Sequence, residues 1–94
     1  MSEKSQLPIP TAATRDPQSF EIIRVWIAEK GQHVSLRSKV WEDPAAWGLM
    51  LADLARHIVN AHNQPLNSEM LQRIRAAFDA ELASPTDSPS GQLL

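Results

Sequence analysis

The sequence has no cysteine, and its three glycines, Gly31, Gly48 and Gly91, stand far apart. Without cysteine there is no disulfide to brace a small domain and no thiolate to hold a metal. Isolated glycines exclude the glycine-rich loop that cradles phosphates. No run approaches the roughly 20 apolar residues of a membrane-spanning helix. The opening Met1-Ser2-Glu3-Lys4-Ser5 lacks the apolar segment of a secretory signal. A formal net charge of −2 gives no field that would draw the chain to nucleic acid or to a membrane surface. These absences leave a cytoplasmic protein as the expectation.

What is present divides the 94 residues into three parts. Residues 1–18 hold Pro8, Pro10 and Pro17 among polar residues without apolar periodicity, and 84–94 hold Pro85, Pro89 and Gly91 among serines. Both read as flexible ends, a leader and a tail. Between them, 19–83 form a single domain. A domain of about 60 residues buries only about 60% of its unfolded surface. With no disulfide or metal available, oligomerisation is the remaining common support.

The domain is organised around one helix, Asp43 to Asn63. Asp43 can cap it, and Pro44 suits the first helical position, where its missing N–H would be unpaired anyway. Trp47, Met50, Leu51, Leu54, Ile58 and Ala61 recur at helical spacing as a stripe expected to be buried. Gly48 costs about 1 kcal/mol relative to Ala in a helix interior, so it is either tolerated or needed for close approach of another element. Asn63 can end the helix, and Pro65 blocks its continuation.

Before that helix, Phe20 to Glu29 is rich in β-branched and aromatic residues, and Gln32 to Arg37 alternates polar and apolar. The two read as an antiparallel hairpin turning at Lys30-Gly31. That turn sets Ile27 opposite Val34 and Val25 opposite Leu36, giving an apolar face expected to lie on the central helix. The second strand extends in this reading through Val40, and Trp41 pins the start of the helix. After Pro65 a second helix begins with Asn67 as cap and Leu66 and Leu71 as a staple. Its apolar stripe is Met70, Leu71, Ile74, Ala77, Phe78 and Leu82. The fold expected is α+β, an antiparallel hairpin followed by two α-helices in the order β-β-α-α.

The candidate binding surface is the outer hairpin face: Arg24, Trp26, His33, Ser35 and Arg37. In the expected register Trp26 faces Ser35, Arg24 faces Arg37, and His33 stands opposite Ala28. Two arginines directly opposite repel each other, so a large aromatic beside them can stack a partner's side chain, a ring or a base. Alternatively the arginines splay apart and Glu21 or Glu42 neutralises them. The hairpin's unpaired edges invite a second chain, and a two-fold dimer would join two hairpins into a four-stranded sheet. The segment Leu7 to Pro10 is the other candidate to cover an edge.

No catalytic set is visible. Asp53 and His57 lie one helical turn apart, but His62 falls on another face and supplies no third ligand, so a solvated pair is expected and no metal or cofactor.

The runs Ile22-Ile23-Arg24-Val25-Trp26-Ile27-Ala28, Val34-Ser35-Leu36-Arg37, Trp41-Glu42-Asp43-Pro44-Ala45-Ala46-Trp47-Gly48-Leu49, Leu54-Ala55-Arg56-His57 and Arg73-Ile74-Arg75-Ala76-Ala77-Phe78-Asp79-Ala80-Glu81 resemble a small bacterial family, domain of unknown function 5076. The resemblance spans about Phe20 to Pro85 and implies no activity, ligand or catalytic residue. The functional expectation is a small non-enzymatic interaction or assembly module, its partner another protein or a second copy. The alternative is a binder of a small anionic or aromatic ligand, or of single-stranded nucleic acid, through Arg24, Trp26 and Arg37.

Overall fold

The computed structural model describes residues 5–86 and the backbone of 90–93. Its elements are α1 (Thr11–Arg15), β1 (Ile23–Ala28), β2 (Gly31–Leu36), α2 (Ala45–Ala61), α3 (Glu69–Ala83) and β3 (Ser90–Leu93). The β-β-α-α order of the central domain is as expected, an antiparallel hairpin followed by two helices. The expected leader contains α1, and the expected tail contains β3, which pairs parallel to β2 and makes a sheet of order β1-β2-β3. Residues 1–4, 87–89 and 94 of those two segments lie outside the described residues.

The hairpin register differs from the expectation by two residues. Arg24 pairs with Ser35, Val25 with Val34, Trp26 with His33, and Ala28 with Gly31. The turn is therefore Glu29-Lys30, with φ of 52° and 65°, both in the left-handed region that a two-residue turn of the tightest type demands. Neither residue is a glycine, so the turn carries strain. In return Val25 meets Val34, Ile23 meets Leu36, and the opposed Arg24–Arg37 pair disappears. A shift of two preserves the alternation, so each face keeps its residues. The second strand stops at Leu36 rather than running through Val40. Arg37 N–H still donates to Ile22 O at 3.0 Å, and Ser38-Lys39 then turn toward the helix.

The helix expected from Asp43 is α2, but its cap position is Pro44 and its first residue Ala45, one later than expected. Asp43 Oδ1 accepts from Ala45 N–H at 2.9 Å, and Asp43 O accepts from Ala46 N–H at 3.0 Å. At the other end Asn63 takes φ 57°, and Gln64 N–H reaches back to Val59 O at 3.2 Å. Trp41 stands edge-on to Trp47, ring centroids 4.9 Å apart at 77°, and so fixes the chain where the helix starts. For α3 the cap position is Ser68, not Asn67, because Pro65 to Ser68 form a turn closed by Ser68 N–H to Pro65 O at 3.1 Å.

The packing departs most from the sequence expectation. Among the described residues only Val59 is fully buried, and it lies beside the expected stripe of α2 rather than within it. On that stripe Trp47 and Met50 are half-buried, while Leu51, Leu54 and Ile58 are exposed. The hairpin face expected to cover α2 is only partly covered: Ile23, Val34 and Leu36 are half-buried, while Val25 is exposed and Ile27 is 76% exposed. Among the described residues the close backbone approaches run within the sheet and between α2 and α3, and none joins a strand to a helix. The chain is correspondingly expanded, with a radius of gyration of 15.3 Å against about 12 Å for a compact domain of this length.

If the turn is Glu29-Lys30, Glu29→Asn relieves left-handed strain and should raise stability by up to about 1 kcal/mol in urea unfolding. A loss would put Glu29 in the strand and the turn one residue later.

Candidate functional site

Two surfaces carry the functional question, and the first is the hairpin face. The alternation of β1 and β2 places Arg24, Trp26, His33 and Ser35 on one side, with Trp26 directly across from His33 and Arg24 across from Ser35. Trp26, His33 and Ser35 are half-buried. His33 Nε2 donates to Ala28 O at 3.1 Å, which ties the ring across the hairpin close to the turn.

The cations of this face are engaged. Arg24 forks onto Glu21, with Nη2 to Oε1 at 2.6 Å and Nε to Oε2 at 3.2 Å. These hydrogen bonds, and then the charge of Glu21, raise the Arg24 pKa above its ordinary value. Arg37 turns the other way. Its Nε donates to Glu21 O at 3.2 Å, and its guanidinium carbon lies 5.5 Å from the centroid of the Phe20 ring. Arg37 is thus not brought together with Trp26, while Arg24, Trp26, His33 and Ser35 are. A cleft of about 430 Å³ along β1 joins Arg24 and Trp26 to Leu7, Pro8 and Ile9 of the leader, so the leader borders the free edge of the sheet without forming a strand there.

The second surface lies between α2 and α3. An open groove of about 480 Å³ has Gly48, Ala52 and Ala55 on one wall and Leu71, Ile74 and Phe78 on the other. Arg56, Arg75 and Asp79 border it. On α2, Asp53 Oδ1 lies 3.8 Å from Arg56 Nη1, so the ion pair of Asp53 is with Arg56 rather than His57. His62 Nδ1 donates to Ile58 O at 2.9 Å. Among the described residues no three of His, Asp or Glu come close enough to hold a metal ion. Leu71, Ile74 and Phe78, expected as core, line this groove instead. The available signal was the small residues Gly48, Ala52 and Ala55 at helical spacing, a pattern that lets another element approach closely.

With this geometry in hand, residues 6–86 match the model of a family described as Domain of unknown function (DUF5076). The chain belongs to that family. The match begins earlier than the sequence resemblance, taking in α1 and the leader residues beside β1, and it ends before β3. None of the curated proteins matches the chain. Among solved structures, the chain is similar to a protein of the photosynthetic bacterium Rhodopseudomonas palustrus CGA009, provisionally named a pyruvate dehydrogenase. The two are 32% identical over 94% of this chain and 93% of that chain, with a TM-score of 0.71. No helix of the described residues is long and apolar enough to cross a membrane.

Half-burial of Trp26 sets the expected cost of removing it. Trp26→Ala should destabilise by roughly 2 kcal/mol, about half the loss for a fully buried tryptophan, with the far-ultraviolet circular dichroism of the folded chain retained. Loss of the folded signal would make Trp26 the anchor of the whole sheet.

Proposed function

We propose that this DUF5076 protein is a small non-enzymatic assembly module whose first partner is a second copy of itself. One observation carries the reading. The single chain exposes 8266 Å², whereas a folded monomer of its mass exposes about 5,400 Å². The difference is roughly 2,800 Å². The exposed large apolar residues include Leu49, Leu51, Leu54, Ile58, Phe78 and Leu82 on the helices, Val25 and Ile27 on the hairpin, and Leu7, Ile9 and Phe20 before it. Large apolar side chains left open in this number favour an interaction role.

Against catalysis stand the openness of both clefts and the charge pairing around them. The described carboxylates and histidines sit at or near the surface, where water reaches them. Pyruvate dehydrogenation, the activity in the name of the Rhodopseudomonas palustrus protein, calls for a cofactor that stabilises a carbanion. That activity belongs to the name of the other protein and forms no part of this reading.

A second reading has one feature in its favour, the cleft that sets Trp26 beside Leu7 and Pro8. An aromatic ring would stack there. An anion would have to compete with Glu21 for Arg24.

Light scattering across a concentration series tests the main reading. Twice the chain mass is expected at micromolar concentration, with folded structure and dimer lost together on dilution, as for obligate dimers. A stably folded monomer throughout would overturn it.

A further inference from the structure

Beyond the assembly reading, and independently of it, we infer that the free edge of β1 is a docking edge for the chain's own leader. Gln6–Pro10 closes on it as an antiparallel outer strand, with Leu7 opposite Ile27 and Ile9 opposite Val25. The backbone of β1 carries the first argument. Antiparallel strands exchange hydrogen bonds at every second pair. Arg37 N–H donates to Ile22 O at 3.0 Å, so the bonded pairs that follow in this register are Arg24–Ser35, Trp26–His33 and Ala28–Gly31. The N–H and C=O groups of Ile23, Val25 and Ile27 therefore point away from β2, and β1 is the last strand on that side of the sheet. Among the described residues no backbone hydrogen bond from another segment reaches them. Such a row specifies its occupant more closely than an apolar face does, because extended backbone meets each donor and acceptor in turn.

The leader is suited to one side of such a pairing. In an extended chain successive N–H groups point to opposite sides, so Pro8 and Pro10 fall on one side and Leu7 and Ile9 on the other. Proline lacks the N–H and enters a sheet at an edge, with that side turned to solvent. Leu7 and Ile9 keep both backbone groups for β1, and the outer side formed by Pro8 and Pro10 has no donors with which to continue the sheet. The conformation is also set in advance. Each proline fixes its own φ and holds the residue before it extended, and Pro10 stands at φ −57° and ψ 143°.

Position and side chains agree. Ser5–Ile9 line the cleft of about 430 Å³ whose other wall includes Ile23–Ile27, so the segment already lies alongside the edge it closes. Bonded partners in an antiparallel pair share a face, which sets Leu7 and Ile9 beside Ile27 and Val25. All four are exposed in the open arrangement, and closure covers them together. The family match begins at residue 6, so these residues belong to the family's domain rather than to an appended tail. A second copy could offer its own β1 edge, but the leader is tethered. A short tether gives an effective concentration of about a millimolar, which a free copy at micromolar concentration does not match.

Amide hydrogen exchange of the full chain, followed residue by residue by nuclear magnetic resonance, tests the closure. The N–H groups of Val25 and Ile27 should exchange at least about tenfold more slowly than in the double variant Leu7→Pro, Ile9→Pro, which removes both donors that face β1. The N–H groups of Arg24 and Trp26, bonded to β2, should keep their protection in both proteins. Overhauser contacts from the Leu7 amide to Ile27 and from the Ile9 amide to Val25 in the wild-type chain give a second readout that needs no substitution. Free exchange at Val25 and Ile27 in the wild-type chain overturns the proposal. Protection that survives the double substitution overturns it too, and its loss on dilution would then identify a second copy as the occupant. If the variant also loses protection at Arg24 and Trp26, the wild-type Overhauser contacts decide: their presence supports closure and their absence overturns it.

Discussion

Two amphipathic helices joined by the turn at Asn63 to Pro65 can cover each other along one line only. In this chain Val59, near the C-terminal end of α2, is the one residue sealed from solvent among those described. Farther along, Leu51 on α2 and Leu71, Ile74 and Phe78 on α3 border an open groove between the helices rather than closing on each other. A third layer is needed to cover the remainder, and small α+β domains draw it from the sheet. Here the hairpin does not supply it. The sheet is attached through Trp41 and Trp47 at the start of α2, and its apolar residues Val25 and Ile27 remain open. The openness of the structure, its expanded dimensions and its shallow clefts all stem from this unmet requirement for cover.

The hairpin obeys a different balance. Its turn accepts two non-glycine residues in the left-handed region, a cost of about 1–2 kcal/mol each. The register so obtained pairs β-branched and aliphatic residues and keeps Arg24 and Arg37 apart. Glu21 then serves both arginines, its carboxylate holding Arg24 and its carbonyl holding Arg37. The Glu21 carboxylate thereby offsets the charge of Arg24, while Arg37 keeps its charge against a backbone carbonyl and the Phe20 ring. The face keeps Trp26 and His33 as its distinctive groups, and their cross-strand contact depends on that register.

The elements were legible in the sequence wherever the signal was local. Asp43 and Pro44 mark where α2 starts, Asn63 and Pro65 where it ends, and β-branched composition marks both strands; each is decided by a few neighbouring backbone groups. The register was less legible, because Lys30-Gly31 has the better turn chemistry and loses only through contacts many residues away. Side-chain alternation survived, since a slip of two leaves every residue on its own face. Burial was the least legible. Periodicity tells which residues of a helix want cover, and Leu51, Leu54, Ile58 and Phe78 were identified in that sense. It does not say whether the cover comes from the same chain. Of the hairpin residues singled out for binding, Arg24, Trp26, His33 and Ser35 do share a surface, while Arg37 is drawn off by Phe20 and Glu21.

If the chain assembles with a second copy, as proposed, apolar surface buried between the two would supply cover that one chain lacks, and folding would depend on protomer concentration. A hairpin left outside such a contact would be displayed twice, with its half-buried Trp26 and the leader beside it. A ligand or partner recognised there would be bound twice, and even a weak single contact would gain when both sites can be reached at once. Stability and recognition would then rest on different parts of a small domain.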